Sequence, residues 1–455
     1  MTDPLQDRLR AEVAGLMPRA LDELRALVAL RSVADAQVED PRELELAARW
    51  VRDSLAAEGL EARLARTPDG TDAVIATYDG PPDSPRVLLY AHYDVQPAHA
   101  EEWTSDPWDL TERDGRHYGR GAADCKGNIL AHLTALRACR ALSGDGYPCS
   151  LTVVVEGSEE QGTGGLEDYV RDHPEEFAAE IVIIGDVGNI AVGVPTLTVA
   201  LRGMADTIVR VRTGSGQLHS GAFGGAAPDA LAALIAMLAS LRDADGNTTI
   251  DGLAADGVWE GTQYDEETFR ADAGILPGVR RIGSGTISDH LWARPAVTVL
   301  GIDAPAVIGS VPSVQPAAAA RVSLRVPPGM DPGRAQEALV EHLRGAAPGG
   351  VHVEFERVGL GRPFSARQDT RAFELLAGAM ADAFDAPTQT SGQGGSIPLT
   401  AALADAHPEA SIVLVGVAEP ASRMHAEDES VHPDEISHLA LAEALFLHRL
   451  AAHAG

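Results

Sequence analysis

Four short apolar runs in this chain each deliver the backbone to a histidine or an acid. RVLLYA (86–91) is followed by His92-Tyr93-Asp94 and LTVVVE (151–156) by Glu159-Glu160. IVIIG (181–185) is followed by Asp186, and SIVLVGV (411–417) leads through a short loop to His425. Asp124 stands in GRGAADCKGN, immediately before a helical stretch. Continuous apolar runs of this length, spaced by helices, are the pattern of strands buried in a largely parallel α/β sheet. Ligands of such sheets bind beyond the carboxyl ends of the strands. Five loops are therefore expected to converge, bringing two histidines and four carboxylates together.

Carboxylates crowded in this way repel one another unless protons or cations neutralise them. Imidazole plus carboxylate without thiolate suits zinc, and manganese or cobalt could substitute. His92, His425, Asp124, Glu160 and Asp186 make a two-metal set in which one carboxylate bridges the ions. Glu159 is then left beside the metals without being needed as a ligand, which suits a general base for the attacking water. Asp94, two residues beyond His92 on an extended segment, can accept the other imidazole N–H and orient the ring. Taken singly these features have plainer readings. Asp124 and Asp186 could be helix N-caps, and a Glu-Glu pair is commonly a solvated surface. The joint placement behind apolar runs is what argues for a site.

Around this constellation the chain alternates. Helical spacing covers 9–30 and 42–58, strand-like runs fall at 73–78 and at the positions above, and a helix is expected over about 127–142. From about 197 the pattern changes. Two strand-like segments (197–203 and 206–212) precede a helix near 227–242, and a polar stretch fills 243–290. Strands at 295–302 and 319–326, a helix at 332–345 and a strand at 351–358 follow. This reads as a small α+β domain inserted into the larger one. After about 360 the first pattern returns, with helices at 370–385 and 435–452. The expected organisation is a catalytic domain in two parts, 1–196 and 360–455, around an inserted domain at 197–359.

Composition narrows the function classes. Lys and Arg number 36 against 67 Asp and Glu, a formal charge of −31. Such a surface repels phosphate backbones, so nucleic acid is not an expected partner. No apolar run approaches the ~20 residues of a bilayer span, so no membrane partner is expected either. The charged start MTDPLQDRLR does not resemble a secretory signal. Three cysteines without CxxC spacing argue against a disulfide framework and fit a reducing, cytoplasmic setting.

AHYDVQPA, YGRGAADCKG, EGSEEQG, the Asp186 loop, LHSG and GGSIP together resemble the zinc metallopeptidase family of carnosinase, aminoacylase and succinyl-diaminopimelate desuccinylase. HYDVQPA and GGSIP resemble its carnosinase-type cytosolic dipeptidases. The resemblance implies two zinc ions per subunit: His92, Asp124 and Asp186 around one, and Asp124, Glu160 and His425 around the other. It implies Glu159 as base and later proton donor to the leaving amine, and His219 of LHSG as oxyanion stabiliser. Arg325 and Ser396 would hold the substrate's C-terminal carboxylate, which suits an arginine fork. It further implies a ferredoxin-like inserted domain acting as lid and dimerisation element of a homodimer, and a cis peptide between Asp124 and Cys125. Cys125 departs from the family, where an acid commonly follows the bridging aspartate; it reads as a packing residue.

Other features are decoys. Gly119 and Gly121 imitate part of a dinucleotide fingerprint, but no clear strand precedes them and the third glycine is missing. The Gly162–Gly165 cluster reads as a flexible loop beside the Glu pair. No G-x-S-x-G elbow is present. His99, His117, His132 and His432 read as surface or structural histidines. The expected activity is hydrolysis of dipeptides or other small amides with a free carboxyl end. The alternatives are an N-acyl amino acid deacylase or desuccinylase on the same metals, and a non-catalytic metal-binding or assembly protein.

Overall fold

A computed structural model describes residues 4–144, 146–395 and 397–453. Ser396 therefore lies outside the described residues. The chain separates into two compact units, one holding the stretch up to Val199 with Ala366–Ser391 and Pro398–Gly455, the other Ala200–Ser365 with Gly392–Ile397.

The first unit is built on a sheet whose centre is four parallel strands in the order Ser150–Glu156, Arg86–His92, Ile181–Gly185, Ser411–Val415. Antiparallel neighbours flank them: Glu61–Arg66 and Asp72–Tyr78 on one side, Thr196–Leu201 on the other. Leu88, Leu89, Val154, Ile183, Ile184 and Val413 are fully buried. Each such side chain contributes about 1.5–3 kcal/mol through burial, which explains why these strands carry no polar alternation. Parallel neighbours require long crossovers. Here the helix Lys126–Ser143 supplies one, packing on Pro4–Val28 and on Pro433–His453. Parallel alignment also brings the carboxyl ends of the strands to one edge, where His92 pairs in register with Glu156.

Several elements differ from expectation. A three-residue strand, Arg116–Tyr118, does precede Gly119, paired with Thr111–Arg113 and Ser430–Val431 in a small separate sheet. It is too short and polar to be legible as an apolar run, and it does not belong to the main sheet. Gly165 opens a helix, Gly165–Asp172, whose buried Leu166 and Val170 anchor what reads in sequence as a loop. Helices Glu266–Asp272 and Pro398–Ala406 also escape the pattern, being short and, in the first case, without buried residues.

The second unit follows the order strand Gly203–Arg212, helix Ala230–Ala239, strands Ala296–Asp303 and Ala317–Val326, helix Pro332–Gly345, strand His352–Gly361. The four strands form one antiparallel sheet with Ala317–Val326 and Gly203–Arg212 in the middle. This βαββαβ order is the ferredoxin-like arrangement. Leu234 and Met237 of the first helix and Leu339 and Leu343 of the second close the core with Val209, Val211, Val322 and Leu324. Among the described residues, no helix is long and apolar enough to cross a membrane.

The loops after two of the central strands of the first unit touch backbone to backbone. A Cβ on Gly416 would stand 1.8 Å from the carbonyl oxygen of Val187. Gly416→Ala is expected to cost about 2–3 kcal/mol by forcing these loops apart, read as a lower unfolding midpoint in denaturant.

Candidate metal centre

The residues just past the strand ends come together. His92 closes the strand Arg86–His92 and is fully buried. Its Nε2 lies 3.0 Å from Asp124 Oδ1 and 3.2 Å from Asp186 Oδ1. On the far side of Asp124, His425 Nε2 lies 2.9 Å from Oδ2 and 3.1 Å from Glu160 Oε2. Asp124 thus offers one oxygen to each imidazole. Neither aspartate is a helix cap: the helix after Asp124 starts at Lys126 with Cys125 as its unbonded cap, and no helix follows Asp186. The Asp124–Cys125 peptide is cis.

His92 Nδ1 faces two acceptors, the Asp94 carbonyl oxygen at 3.1 Å and Asp94 Oδ1 at 3.3 Å. These acceptors place a ring proton on Nδ1. Nε2 faces two carboxylate oxygens, to which it presents either a second proton or, with a cation between them, its lone pair. Burial works against a charge on His92, but Cys125, Asp186 and Asp124 outweigh it and raise the ring well above the ordinary imidazole value. Hydrogen bonds that His425 donates to Asp124 and Glu160 raise its ring to about 10. Burial, followed by the nearby charge of Asp186, pushes the Glu159 carboxyl well above the usual range, and burial raises Asp186. Five carboxyl groups, those of Asp94, Asp124, Glu159, Glu160 and Asp186, thus crowd two imidazoles and leave the cluster rich in acid.

A divalent ion fits such a cluster. Two ligands on a tetrahedral zinc, each at roughly 2.0–2.1 Å, stand roughly 3.3 Å apart. The four imidazole-to-carboxylate separations above are close to this value. Two groups of metal-capable atoms gather within 4.8 Å, His92 with Cys125 and Asp186, and Asp124 with Glu160 and His425. Cys125 is the weaker member of the first. Its thiol donates to Gly185 O at 2.9 Å, and burial pushes its pKa up to about 12. A thiol held protonated is not a thiolate ligand, whereas Asp124 faces the same ring.

The supporting contacts were mostly invisible in the sequence. Asp94 does more than face His92: its carboxylate also accepts the backbone N–H groups of Glu159 (3.2 Å) and Glu160 (3.0 Å), fixing the turn that carries both acids. Gln96 Nε2 donates to Glu160 at 2.8 Å. Glu429 is fully buried and accepts the backbone N–H groups of Gly121, Ala123 and Asp124 at 3.0–3.1 Å. Arg120 Nη1 reaches Glu429 at 2.7 Å, and Arg120 Nη2 reaches the Ala426 carbonyl at 3.2 Å. The loop bearing Asp124 is thereby clamped to the loop bearing His425. His425 itself has φ +63, a left-handed backbone costing about 1–2 kcal/mol in a non-glycine residue. Such strain persists only where surrounding contacts fix it. In the sequence, Glu429 is one acid in a polar tract, and no local pattern marks it.

The remaining sequence-read residues lie in the ferredoxin-like unit. His219 is exposed, and its Nδ1 accepts the Gly221 N–H at 3.1 Å, leaving Nε2 as the donor nitrogen. Arg325 is half-buried in the strand Ala317–Val326, with no acidic partner among the described residues. Of the histidines read as structural, His132 is buried between Glu443 (2.9 Å) and the Tyr90 carbonyl (3.1 Å).

The profile of Peptidase family M20/M25/M40 matches residues 88–449. A cysteinylglycine-S-conjugate dipeptidase of Corynebacterium striatum is 45% identical over 408 residues, covering 89% of each chain. A beta-Ala-His dipeptidase of Rattus norvegicus is 27% identical over 98% of this chain and 90% of its own. Among solved structures, human carnosine dipeptidase 1 superposes with a TM-score of 0.82 at 24% identity, over 99% of this chain and 100% of that one.

Removing Glu429 leaves the buried Arg120 charge uncompensated. Glu429→Ala is expected to destabilise the protein by about 3–5 kcal/mol, measured by chemical denaturation of the metal-stripped protein so that loss of metal does not contribute.

Proposed function

Because the chain belongs to peptidase family M20/M25/M40, and is thus a hydrolase acting on peptide bonds, we propose that it is a dinuclear zinc dipeptidase acting on short peptides with a free C-terminal carboxylate. The observation that carries this is the convergence at Asp124, where two imidazole nitrogens and three carboxylates meet around one shared side chain. In this reading His92, Asp124 and Asp186 hold one ion, and Asp124, Glu160 and His425 hold the other. When bound, such ions neutralise the carboxylates, polarise a carbonyl and lower the pKa of water to about 7.

The protein's own groups then have separable tasks. Glu159 takes the proton of the attacking water and returns it to the leaving amine, a role that a pKa raised by burial and then by the charge of Asp186 favours. Asp94 positions both the His92 ring and the Glu159–Glu160 turn through the contacts above. His219, whose Nε2 is the protonated nitrogen and is exposed, is suited to donate to an oxyanion. Arg325, lacking an acidic partner, is suited to a carboxylate, with Ser396 in the same role from the GGSIP segment.

The reading extends to a cytoplasmic homodimer. The cysteines are free and buried, which supports a reducing compartment. The strand Ala296–Asp303 is a sheet edge that exposes Val299, Leu300 and Ile302, an apolar edge of the kind that pairs between subunits. Manganese or cobalt in place of zinc is compatible with the same donors.

Three outcomes are expected. Glu159→Gln should keep its metal content, measured by elemental analysis, while kcat falls about 10²–10⁴-fold; full activity would remove Glu159 as the base. In a substrate panel, dipeptides should be cleaved in preference to their C-terminal amides and to N-acetyl or N-succinyl amino acids. A preference for the acyl compounds would instead indicate a deacylase, and no turnover of any amide a binding protein. Light scattering should give twice the chain mass, and Leu300→Glu should reduce it to one.

A further inference from the structure

The ferredoxin-like unit contains a cavity of about 370 Å³ with an unusual charge balance. Arg202, Arg242, Arg280 and Arg281 line it, and no aspartate or glutamate does. In a chain with 67 acids and 36 basic residues, four arginines collected without one acid on the wall is not what an average surface gives. Two of the four are already satisfied. Arg281 Nε lies 3.2 Å from Glu266 Oε2, and Arg242 donates to the carbonyls of Gly246 and Val297.

Arg202 is not. The residue is 9% exposed, its Nη1 donates only to the His290 carbonyl at 3.3 Å, and its buried Nε has no acceptor. No carboxylate among the described residues pairs with it. Burial, and then the like charge of Arg325, lower its pKa to about 10, which leaves it a cation at neutral pH. An arginine buried without a counter-charge is costly, and such groups are ordinarily paired. Arg280 is exposed at the rim, with no ion pair among the described residues. The rest of the wall is mostly apolar, with Phe269, Ile287 and Leu291 among it and Val279 and Ile282 exposed, its further polar members being Thr248, His290 and Thr298. A volume within the range of small-molecule sites, apolar walls and a few convergent polar groups are the attributes of a ligand pocket.

We propose that this cavity binds a small carboxylate with an apolar body, its anionic head on Arg202 and Arg280 and its hydrocarbon against Phe269, Ile287 and Leu291. The assignment rests on residues of the ferredoxin-like unit alone and does not require the peptidase reading to hold.

The test uses the full-length protein after metal removal by chelator, so that carboxylate binding to metal cannot contribute. 3-Phenylpropanoate and its uncharged amide, 3-phenylpropanamide, are titrated by calorimetry and by saturation-transfer NMR. The acid is expected to bind at least tenfold more tightly than the amide. Arg202→Met should remove at least tenfold of the acid's affinity and leave the amide's unchanged, with an unfolding midpoint equal to or above that of the parent, since a buried unpaired charge has been removed. Should Arg202→Met fail to fold, Arg280→Met at the exposed rim should weaken the acid severalfold. Equal binding of acid and amide, absence of binding, or acid affinity unchanged in Arg202→Met (or in Arg280→Met where only that variant folds) would overturn the proposal.

Discussion

Asp124 stands between two imidazoles, its oxygens 3.0 and 2.9 Å from Nε2 of His92 and of His425. Much of the surrounding structure serves to hold it there. A carboxylate in that position, with Asp186 and Glu160 beyond the rings, is an electrostatic problem in a buried site. Arg120, on the same loop, is committed to Glu429. The donor atoms gathered here are the kind that divalent ions take.

Placement depends on a second layer of contacts. Asp94 accepts two consecutive backbone N–H groups from the turn carrying Glu159 and Glu160, and Glu429 accepts three from the loop carrying Asp124. Both acids hold backbone as well as a side chain, His92 for Asp94 and Arg120 for Glu429, which fixes the positions of the residues that face the centre. The left-handed backbone at His425 is tolerated in the same framework, because the Arg120–Glu429 pair and the Ala426 carbonyl hold the loop from either side.

The two units handle charge in opposite ways. In the first, negative groups converge and await cations. In the second, the cavity gathers arginines, leaves Arg202 unsatisfied and keeps acids off its wall.

By itself the sequence determined the central strands, the parallel arrangement and the identity of the residues at the strand ends. Those features are written in local apolar runs, and hydrophobic burial acts on each run largely irrespective of the rest. It also carried the strands and helices of the inserted unit, but the run 197–203, read there as that unit's first strand, pairs in the main sheet as Thr196–Leu201. Short polar elements such as Arg116–Tyr118 and Glu266–Asp272 were not legible, because they bury too little to impose a period. Only the tertiary structure decided that Glu429, 305 residues from Asp124, would hold its backbone. It likewise decided that His92 Nε2 would face two acids, and that Arg202 would be buried without an acidic partner among the described residues. A hydrogen bond or an unmet charge is a relation between residues far apart in the chain, and local composition carries no record of it.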